Sequence, residues 1–222
     1  MKIRAILFGA TGMVGEGVLH VALASPDVDS VLVIGRRPSE VQHPKLTEII
    51  HEDFFNYEGI ADRLLGYNAC FFCLGVSSVG KKEEEYRRVT YDLTIAAAKA
   101  LSSRNPDMTF CYVSGAGTDS TERGRLMWAR VKGKTENDLR SMSFKAVFCF
   151  RPGFIKPIPG LRRAYLLSHL LGWGYPLWKK AFPRFVCTLE EIGRAMIAVS
   201  ISGFRSPILE NEDILSFGSS VK

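Results

Sequence analysis

Short runs of consecutive apolar residues alternate along the chain with segments whose apolar residues recur every three or four positions. The runs predict buried strands, and the longer periodic segments predict amphipathic helices. The predicted strands are 2–8, 30–34, 47–51, 69–74, 108–113 and 145–150, and the predicted helices are 14–23, 60–65, 82–104, 125–140 and 189–200. Because the strands are mostly apolar, we expect an α/β fold, a doubly wound parallel sheet with helices on both faces.

Several strands end in glycine or polar residues. Right-handed crossovers bring the carboxyl ends of parallel strands to one edge, where open α/β sheets bind ligands. The strand ends predicted to meet there carry Gly9, Arg36, Asp53, Gly75 and Ser114.

The first strand leads into a glycine-rich turn that opens a helix, Gly9-Ala10-Thr11-Gly12-Met13-Val14-Gly15. Such a turn in a βαβ unit binds a dinucleotide. Its first glycine permits a tight turn, its second lets backbone approach a pyrophosphate, and its third lets the helix pack closely. The free N–H groups of the helix N-terminus favour phosphate. The alternative is an ordinary strand-to-helix turn, since glycine is common in turns.

The second strand ends in Gly35-Arg36-Arg37, without the carboxylate that usually holds the ribose 2′-hydroxyl of NAD. A guanidinium binds a 2′-phosphate that a carboxylate would repel. Arg36 and Arg37 therefore favour NADP(H) over NAD(H), and the alternative is a solvated turn.

Composition and charge narrow the class of protein. The chain has 222 residues, a net charge of +6 and an ordinary apolar fraction, which fits one domain spanning 1–222. No segment is as long and apolar as a membrane span, and the chain begins with a strand, so the expected location is cytoplasmic. The five cysteines are expected to be reduced thiols, mostly in the core, and no metal-ligand set is evident.

The chain changes character after residue 153. Pro and Gly residues divide segment 154–187, which is rich in large apolar side chains and holds six basic residues but no acidic one. We interpret this segment as a lid over the substrate side of the sheet edge. The alternative is a basic surface that contacts a membrane. Nucleic-acid binding has little support, because no recognised module accompanies the basic residues.

The combined motifs resemble the atypical short-chain dehydrogenases, or NAD-dependent epimerase/dehydratase-like proteins, with the strongest likeness to the Tat-interacting oxidoreductase-like subset. They are the glycine turn 9–15, Gly35-Arg36-Arg37, Cys73-Leu74-Gly75, Ser114-Gly115-Ala116-Gly117, Val131-Lys132-Gly133 and Arg151-Pro152-Gly153. The resemblance implies a Rossmann-type fold that binds NADP(H). It also implies that Asp53 and Phe54 lie beside the adenine, and Leu74 and Gly75 along the middle of the cofactor.

The resemblance also implies the catalytic groups. Ser114 would hydrogen-bond a substrate carbonyl, and Lys132 would hold the nicotinamide ribose. The proton-transferring tyrosine of the family, four residues before the lysine, is replaced by Trp128. An indole donates a hydrogen bond but does not titrate usefully, so it cannot relay a proton as a phenol does. Candidate substitutes are Tyr86, Tyr91, Tyr112, Tyr165 and Tyr175, each with the alternative of a packed aromatic ring.

Two functions remain open from sequence. The first is an NADP(H)-dependent oxidoreductase that acts on a small apolar carbonyl or alcohol, its substrate otherwise unidentified. The second is a non-catalytic NADP(H)-sensing regulator or scaffold, because the motifs are complete for binding and incomplete for catalysis. A nucleotide-sugar epimerase is a weaker third hypothesis, and the helix over 82–104 offers a surface for a homodimer.

Overall fold

A computed structural model describes residues 2–156 and 183–218 of the chain. Within these residues the strands are β1 Ile3–Phe8, β2 Val28–Gly35, β3 Leu46–Ile50, β4 Ala69–Phe72, β5 Thr109–Val113, β6 Ala146–Arg151, β7 Phe154–Lys156, β8 Val186–Thr188 and β9 Ile208–Glu210. The α-helices are α1 Met13–Ala24, α2 Glu83–Arg87, α3 Leu93–Ser102, α4 Met127–Arg140, α5 Leu189–Ser202 and α6 Asn211–Gly218. A π-helical turn, Arg88–Asp92, joins α2 to α3, and 3₁₀ turns cover Glu58–Leu64 and Pro183–Phe185.

Among the described residues, seven strands form a central sheet in the order β3-β2-β1-β4-β5-β6-β9. All neighbouring strands in it are parallel. The strand order reverses between β1 and β4, and this is the point where open α/β sheets form a ligand crevice. The glycine turn follows β1 directly at this point.

Helices cover both faces of the sheet because its strands are apolar on both faces. Adjacent residues of β1 point to opposite sides, as a strand requires. Leu7 belongs to the core formed with α1 and α5, whereas Phe8 belongs to the core formed with α3 and α4. The predicted Rossmann-type, doubly wound parallel sheet is confirmed.

The structure corrects the bounds of several predicted elements. β2 begins at Val28, two residues before its predicted start, and β4 ends at Phe72. The predicted helix over 82–104 is interrupted by the π-helical turn, which widens one turn between α2 and α3. α4 begins at Met127, two residues later than predicted, and the N-cap residue Leu126 is extended.

α5 begins and ends at strong local signals. The Thr188 hydroxyl accepts the Glu191 N–H at 3.1 Å, and the Glu191 carboxylate accepts the Thr188 N–H at 2.7 Å. This capping box satisfies N–H groups that a helix start otherwise leaves unpaired. Gly203, with φ of +69°, ends the helix. The predicted start of this helix at residue 189 is confirmed.

The sequence analysis did not identify β7, β8, β9 or α6. β7 and β8 pair in parallel as a separate two-stranded sheet. The buried Asn211 side chain accepts the Gly153 N–H at 2.8 Å and donates to the Arg184 carbonyl at 2.9 Å. The two ends of the proposed lid segment 154–187 are thus tied together, whereas residues 157–182 lie outside the described residues. The lid therefore stays a prediction.

Candidate functional site

The glycine turn is packed too tightly for larger residues at two of its glycines. Gly9 has φ of +85°, and a Cβ atom there would lie 2.7 Å from the backbone nitrogen of Leu74. A Cβ atom at Gly15 would lie 2.0 Å from the Gly9 carbonyl oxygen. The turn therefore brings β1, α1 and the segment after β4 into direct backbone contact.

The start of α1 has the features of an anion-binding helix end. Gly12 is the N-cap residue and supplies no side-chain hydrogen bond to the first turn. Its N–H donates to the Gly9 carbonyl at 2.9 Å, which closes the turn. Thr11, Met13 and Val14 are all partly exposed. The backbone N–H groups and the positive end of the helix dipole therefore face the point between β1 and β4 where the strand order reverses. No side chain caps them there.

The segment after β4 lies beside this turn. The Cys73 N–H donates to the Phe8 carbonyl at 3.0 Å, so pairing with β1 continues one residue beyond β4. Leu74 and Gly75 follow, and Gly75 has open space where a Cβ atom would stand. The structure thus brings together the glycine turn and Leu74-Gly75.

Arg36 and Arg37 are exposed at the end of β2. Neither guanidinium forms an ion pair within residues 2–156 and 183–218. Two cations at a strand end beside the glycine turn are available to an anionic ligand.

Asp53 and Phe54 follow β3 but differ in exposure. The Asp53 carboxylate is exposed and accepts the Phe55 N–H at 3.0 Å. Phe54 is buried in the core, where its ring contacts Phe8 edge-on at 6.2 Å between centroids. The exposed Asp53 carboxylate is accessible to an adenine, whereas the Phe54 ring is packed in the core.

The Ser114 hydroxyl does not face the open edge of the sheet. It donates to Glu136 Oε1 at 2.5 Å and lies 3.0 Å from the Phe150 carbonyl oxygen. The residue is buried. Because a hydroxyl has one proton to donate, this geometry commits it to the protein interior.

Sequence reasoning missed a buried ion pair behind Ser114. Glu136 is fully buried on α4, and Arg151 reaches it from the end of β6. Arg151 Nε donates to Glu136 Oε1 at 3.0 Å, and its Nη2 donates to Oε2 at 2.5 Å. Arg151 also contacts Ser120 at 2.6 Å and Glu210 of β9 at 3.1 Å. The available signal was a charged residue four positions after Lys132, on a helix face that packs against the sheet.

Lys132 lies one helical turn before Glu136 and is partly buried. Its ammonium donates to the carbonyl oxygen of Ser114. Burial lowers the pKa of Lys132 to about 8, and the negative charge of Glu136 opposes that shift. An ammonium carries three donors, so this bond leaves donors for another partner.

Trp128 and Lys132 are four residues apart and share a face of α4. The Trp128 ring lies against Gly117, where a Cβ atom would be 3.5 Å from the edge of the indole. Gly117 has φ of +85° and belongs to the loop after β5. The structure therefore places Trp128, Lys132 and the Ser114 carbonyl around one junction between β5 and α4.

The candidate substitute tyrosines are engaged elsewhere where the structure describes them. Tyr112 and Ser114 both face α4, as their spacing predicts, but Tyr112 is buried and burial raises its pKa. Tyr86 is buried as well, and desolvation raises its pKa. Tyr91 donates to Asp138 in the groove between α2 and α4. Tyr165 and Tyr175 lie outside the described residues.

The cysteines are free, and four of the five are fully buried. Cys70 belongs to one core and Cys73 packs against the other, as their spacing predicts. Burial raises the pKa of Cys111 to about 12 and raises that of Cys73. Thiols this far from ionisation are unreactive at neutral pH. Across the described residues, no group of three His, Cys, Asp or Glu side chains could hold a metal ion.

Curated relatives match nearly the whole chain. It is 24% identical to the mitochondrial protein FMP52 of Meyerozyma guilliermondii over 221 residues, which is 98% of this chain and 93% of the relative. It is 27% identical to the mitochondrial protein FMP52-2 of Scheffersomyces stipitis over 225 residues, which is 97% of this chain and 94% of the relative. No family model matches the chain.

These names overturn the expected cytoplasmic location, because the relatives are named as mitochondrial proteins. That expectation rested on the absence of a recognisable signal, and such an absence does not define a compartment. Among the described helices, none is both long and apolar enough to cross a membrane.

Solved structures share the fold. A short-chain dehydrogenase family protein from Francisella tularensis has a TM-score of 0.67 at 13% identity, covering 97% of this chain and 100% of that one. The Helicobacter pylori ADP-L-glycero-D-manno-heptose-6-epimerase has a TM-score of 0.68 at 15% identity, covering 97% and 81%. The Bordetella bronchiseptica enzyme WbmF, in complex with NAD⁺, has a TM-score of 0.68 at 11% identity, covering 100% and 80%. Identities this low show a common fold alone.

Proposed function

We propose that this protein binds a nicotinamide dinucleotide, preferring NADP(H), and acts as an oxidoreductase on a small apolar carbonyl or alcohol. The glycine turn at the switch point of the sheet is the observation that carries the proposal. A Cβ atom would fill the turn at both Gly9 and Gly15, while Gly12 leaves the helix start uncapped. That is the cradle a pyrophosphate requires. The solved structures with this fold include one that holds NAD⁺.

The proposed binding residues contact three parts of the dinucleotide. Thr11, Gly12, Met13 and Val14 surround the pyrophosphate, with Leu74 and Gly75 alongside. Arg36 and Arg37 would bind the 2′-phosphate and Asp53 would contact the adenine, whereas the Phe54 ring is packed in the core. The exposure of both arginines and the lack of ion pairs to them in residues 2–156 and 183–218 support the preference for NADP(H).

The nicotinamide, when bound, supplies a hydride donor or acceptor. Lys132 holds the adjoining ribose with the ammonium donors that its bond to the Ser114 carbonyl leaves free. Ser114 acts through that carbonyl, because its hydroxyl is committed to Glu136. Trp128 orients a polar group with its indole N–H but does not titrate, so proton transfer falls to Lys132 Nζ or to water.

Calorimetric titration of the purified protein with NADPH and NADH tests this function. We expect NADPH to bind at least about tenfold more tightly, since a hydrogen bond to a charged group contributes about 1.5–3 kcal/mol. Absence of binding by both dinucleotides would refute the proposal. Lys132→Met, matched with Lys134→Met on the other side of the helix, then tests turnover. We expect Lys132→Met to abolish turnover and Lys134→Met to leave it unchanged.

A second function, an NADP(H)-sensing regulator or scaffold without turnover, has its own support. Trp128 replaces the proton-transferring group, and the candidate tyrosines that the structure describes, Tyr86, Tyr91 and Tyr112, are buried or paired. Limited proteolysis with and without saturating NADPH separates the two functions. A regulator would show a cleavage pattern that changes on binding and no turnover in a substrate screen.

Other expectations from the sequence stay proposals. The likeness to the Tat-interacting oxidoreductase-like subset, the lid over 154–187 and a homodimer through the helical segment at 83–102 belong here. Ultracentrifugation of the protein with and without NADPH measures the oligomeric state.

A further inference from the structure

The junction between β5 and α4 is held by a chain of buried polar contacts. Arg151 binds both oxygens of Glu136, Glu136 accepts the Ser114 hydroxyl, and the Ser114 carbonyl accepts the Lys132 ammonium. These contacts join the end of β6 to α4 once and the residue after β5 to α4 twice.

A buried ion pair is a costly way to fill space. Removing two charges from water costs several kcal/mol, and well-packed apolar residues often replace such a pair with no loss of stability. Glu136 is completely buried and lies one turn from Lys132, whose charge it favours. The arrangement is therefore suited to positioning a charged neighbour rather than to stabilising the core.

We propose that Glu136 is a positioning residue of the dinucleotide site, which keeps the Lys132 ammonium charged and directed at the Ser114 carbonyl through its own bonds to Arg151 and Ser114. This inference rests on the proposed function, because it assigns Lys132 to the cofactor. Glu136 itself touches neither cofactor nor substrate.

Burial is the larger cause of the lowered Lys132 pKa, and Glu136 supplies the charge that opposes it. Arg151 faces the carboxylate from β6, and Glu210 of β9 faces Arg151 while remaining half-exposed. Tyr112 approaches from β5, but burial raises its pKa, so its phenol stays neutral throughout the range in which Lys132 titrates. Removing the charge of Glu136 should therefore lower the pKa of Lys132 further below about 8.

The double variant Glu136→Gln/Arg151→Met tests the inference. It removes both buried charges together, so no unpaired ion is left in the core, and the glutamine still accepts the Ser114 hydroxyl. Loss of the Arg151 cation by itself would raise the Lys132 pKa, so a lowered pKa in the double variant reports the loss of the Glu136 charge. Glu210→Gln is the matched control. It removes the other carboxylate that pairs with Arg151 and leaves Glu136 unchanged. Thermal unfolding establishes that each variant is folded.

Two measurements follow. NMR of protein labelled at the lysine side chains, assigned with Lys132→Arg, gives the Lys132 pKa without any cofactor. Calorimetry gives the NADPH dissociation constant at pH 6 and pH 9. If NADPH binds only the protein with a charged Lys132, a Lys132 pKa lowered by about one unit weakens NADPH binding about tenfold at pH 9, where most of the lysine is uncharged. The same shift hardly changes binding at pH 6, where the lysine stays charged.

The outcomes are distinct. A lowered Lys132 pKa together with weakening confined to high pH, in the double variant and not in Glu210→Gln, supports the inference. An unchanged pKa and pH profile in a folded double variant overturns it. Equal weakening at both pH values would mean a purely structural role and also overturns it. Absence of NADPH binding by the wild-type protein refutes the proposed function instead.

Discussion

Replacing Gly12 by alanine should remove dinucleotide binding while leaving the fold intact. Gly12 has φ of −94° and ψ of 162°, an extended conformation that alanine adopts readily. The added Cβ would lie 3.3 Å from the Gly9 carbonyl oxygen, so the turn must shift by only a few tenths of an ångström. Alanine is a poorer N-cap residue than glycine, which costs about 0.5–1 kcal/mol and lowers the Tm by about 1–4 °C.

The effect on binding should be larger. The methyl group would stand at the uncapped helix start, where the proposed pyrophosphate approaches backbone N–H groups. Loss of one hydrogen bond to a charged group costs about 1.5–3 kcal/mol, which is at least about tenfold in the dissociation constant. Differential scanning fluorimetry measures the fall in Tm, and calorimetric titration with NADPH measures the rise in the dissociation constant.

Two further glycines serve as comparisons. Gly59→Ala adds a methyl group in open space and should change neither the Tm nor the NADPH dissociation constant. Gly15→Ala would place its Cβ 2.0 Å from the Gly9 carbonyl oxygen, so it should destabilise the fold as well as prevent binding. A Gly12→Ala protein that binds NADPH as tightly as the wild type would show that the glycine turn serves packing alone.

Three other changes test separate parts of the site. Arg36→Ala/Arg37→Ala should weaken NADPH binding at least about tenfold and leave NADH binding unchanged by calorimetry, and equal losses for both would refute a 2′-phosphate contact. Trp128→Tyr should raise carbonyl reductase turnover by about 10²-fold or more, whereas Trp128→Phe should not, in a spectrophotometric NADPH assay. Arg151→Met alone leaves Glu136 charged in the core and should lower the free energy of unfolding in urea by about 3–5 kcal/mol, and a loss near zero would contradict the buried ion pair.

Local sequence signals predicted the fold and the place of the glycine turn in it. The alternation of apolar strands with amphipathic helices determined the sheet class, because strands buried on both faces must be apolar throughout. The glycine turn 9–15 was recognisable because its spacing reflects contacts within a few residues. Parallel connectivity then placed Arg36 and Gly75 at the same edge of the sheet as the turn.

The orientation of individual side chains at the strand ends could not be predicted in the same way. Ser114 has the spacing of a substrate-binding hydroxyl, yet it turns inward to Glu136, which lies 22 residues further along the chain. Arg151 and Glu210 meet across 59 residues of sequence. β9 adds a seventh strand only because β6 offers it a free edge.

The sequence by itself therefore determined the parallel sheet, the glycine turn and the spacing of Trp128 and Lys132 on one helix. Only the tertiary structure decided that the Ser114 hydroxyl is committed to the interior and that Lys132 is linked to a buried ion pair. The physical reason is the range of the interactions. Helix periodicity and turn chemistry act over a few residues, whereas burial, desolvation and charge pairing depend on which distant segments the fold brings together.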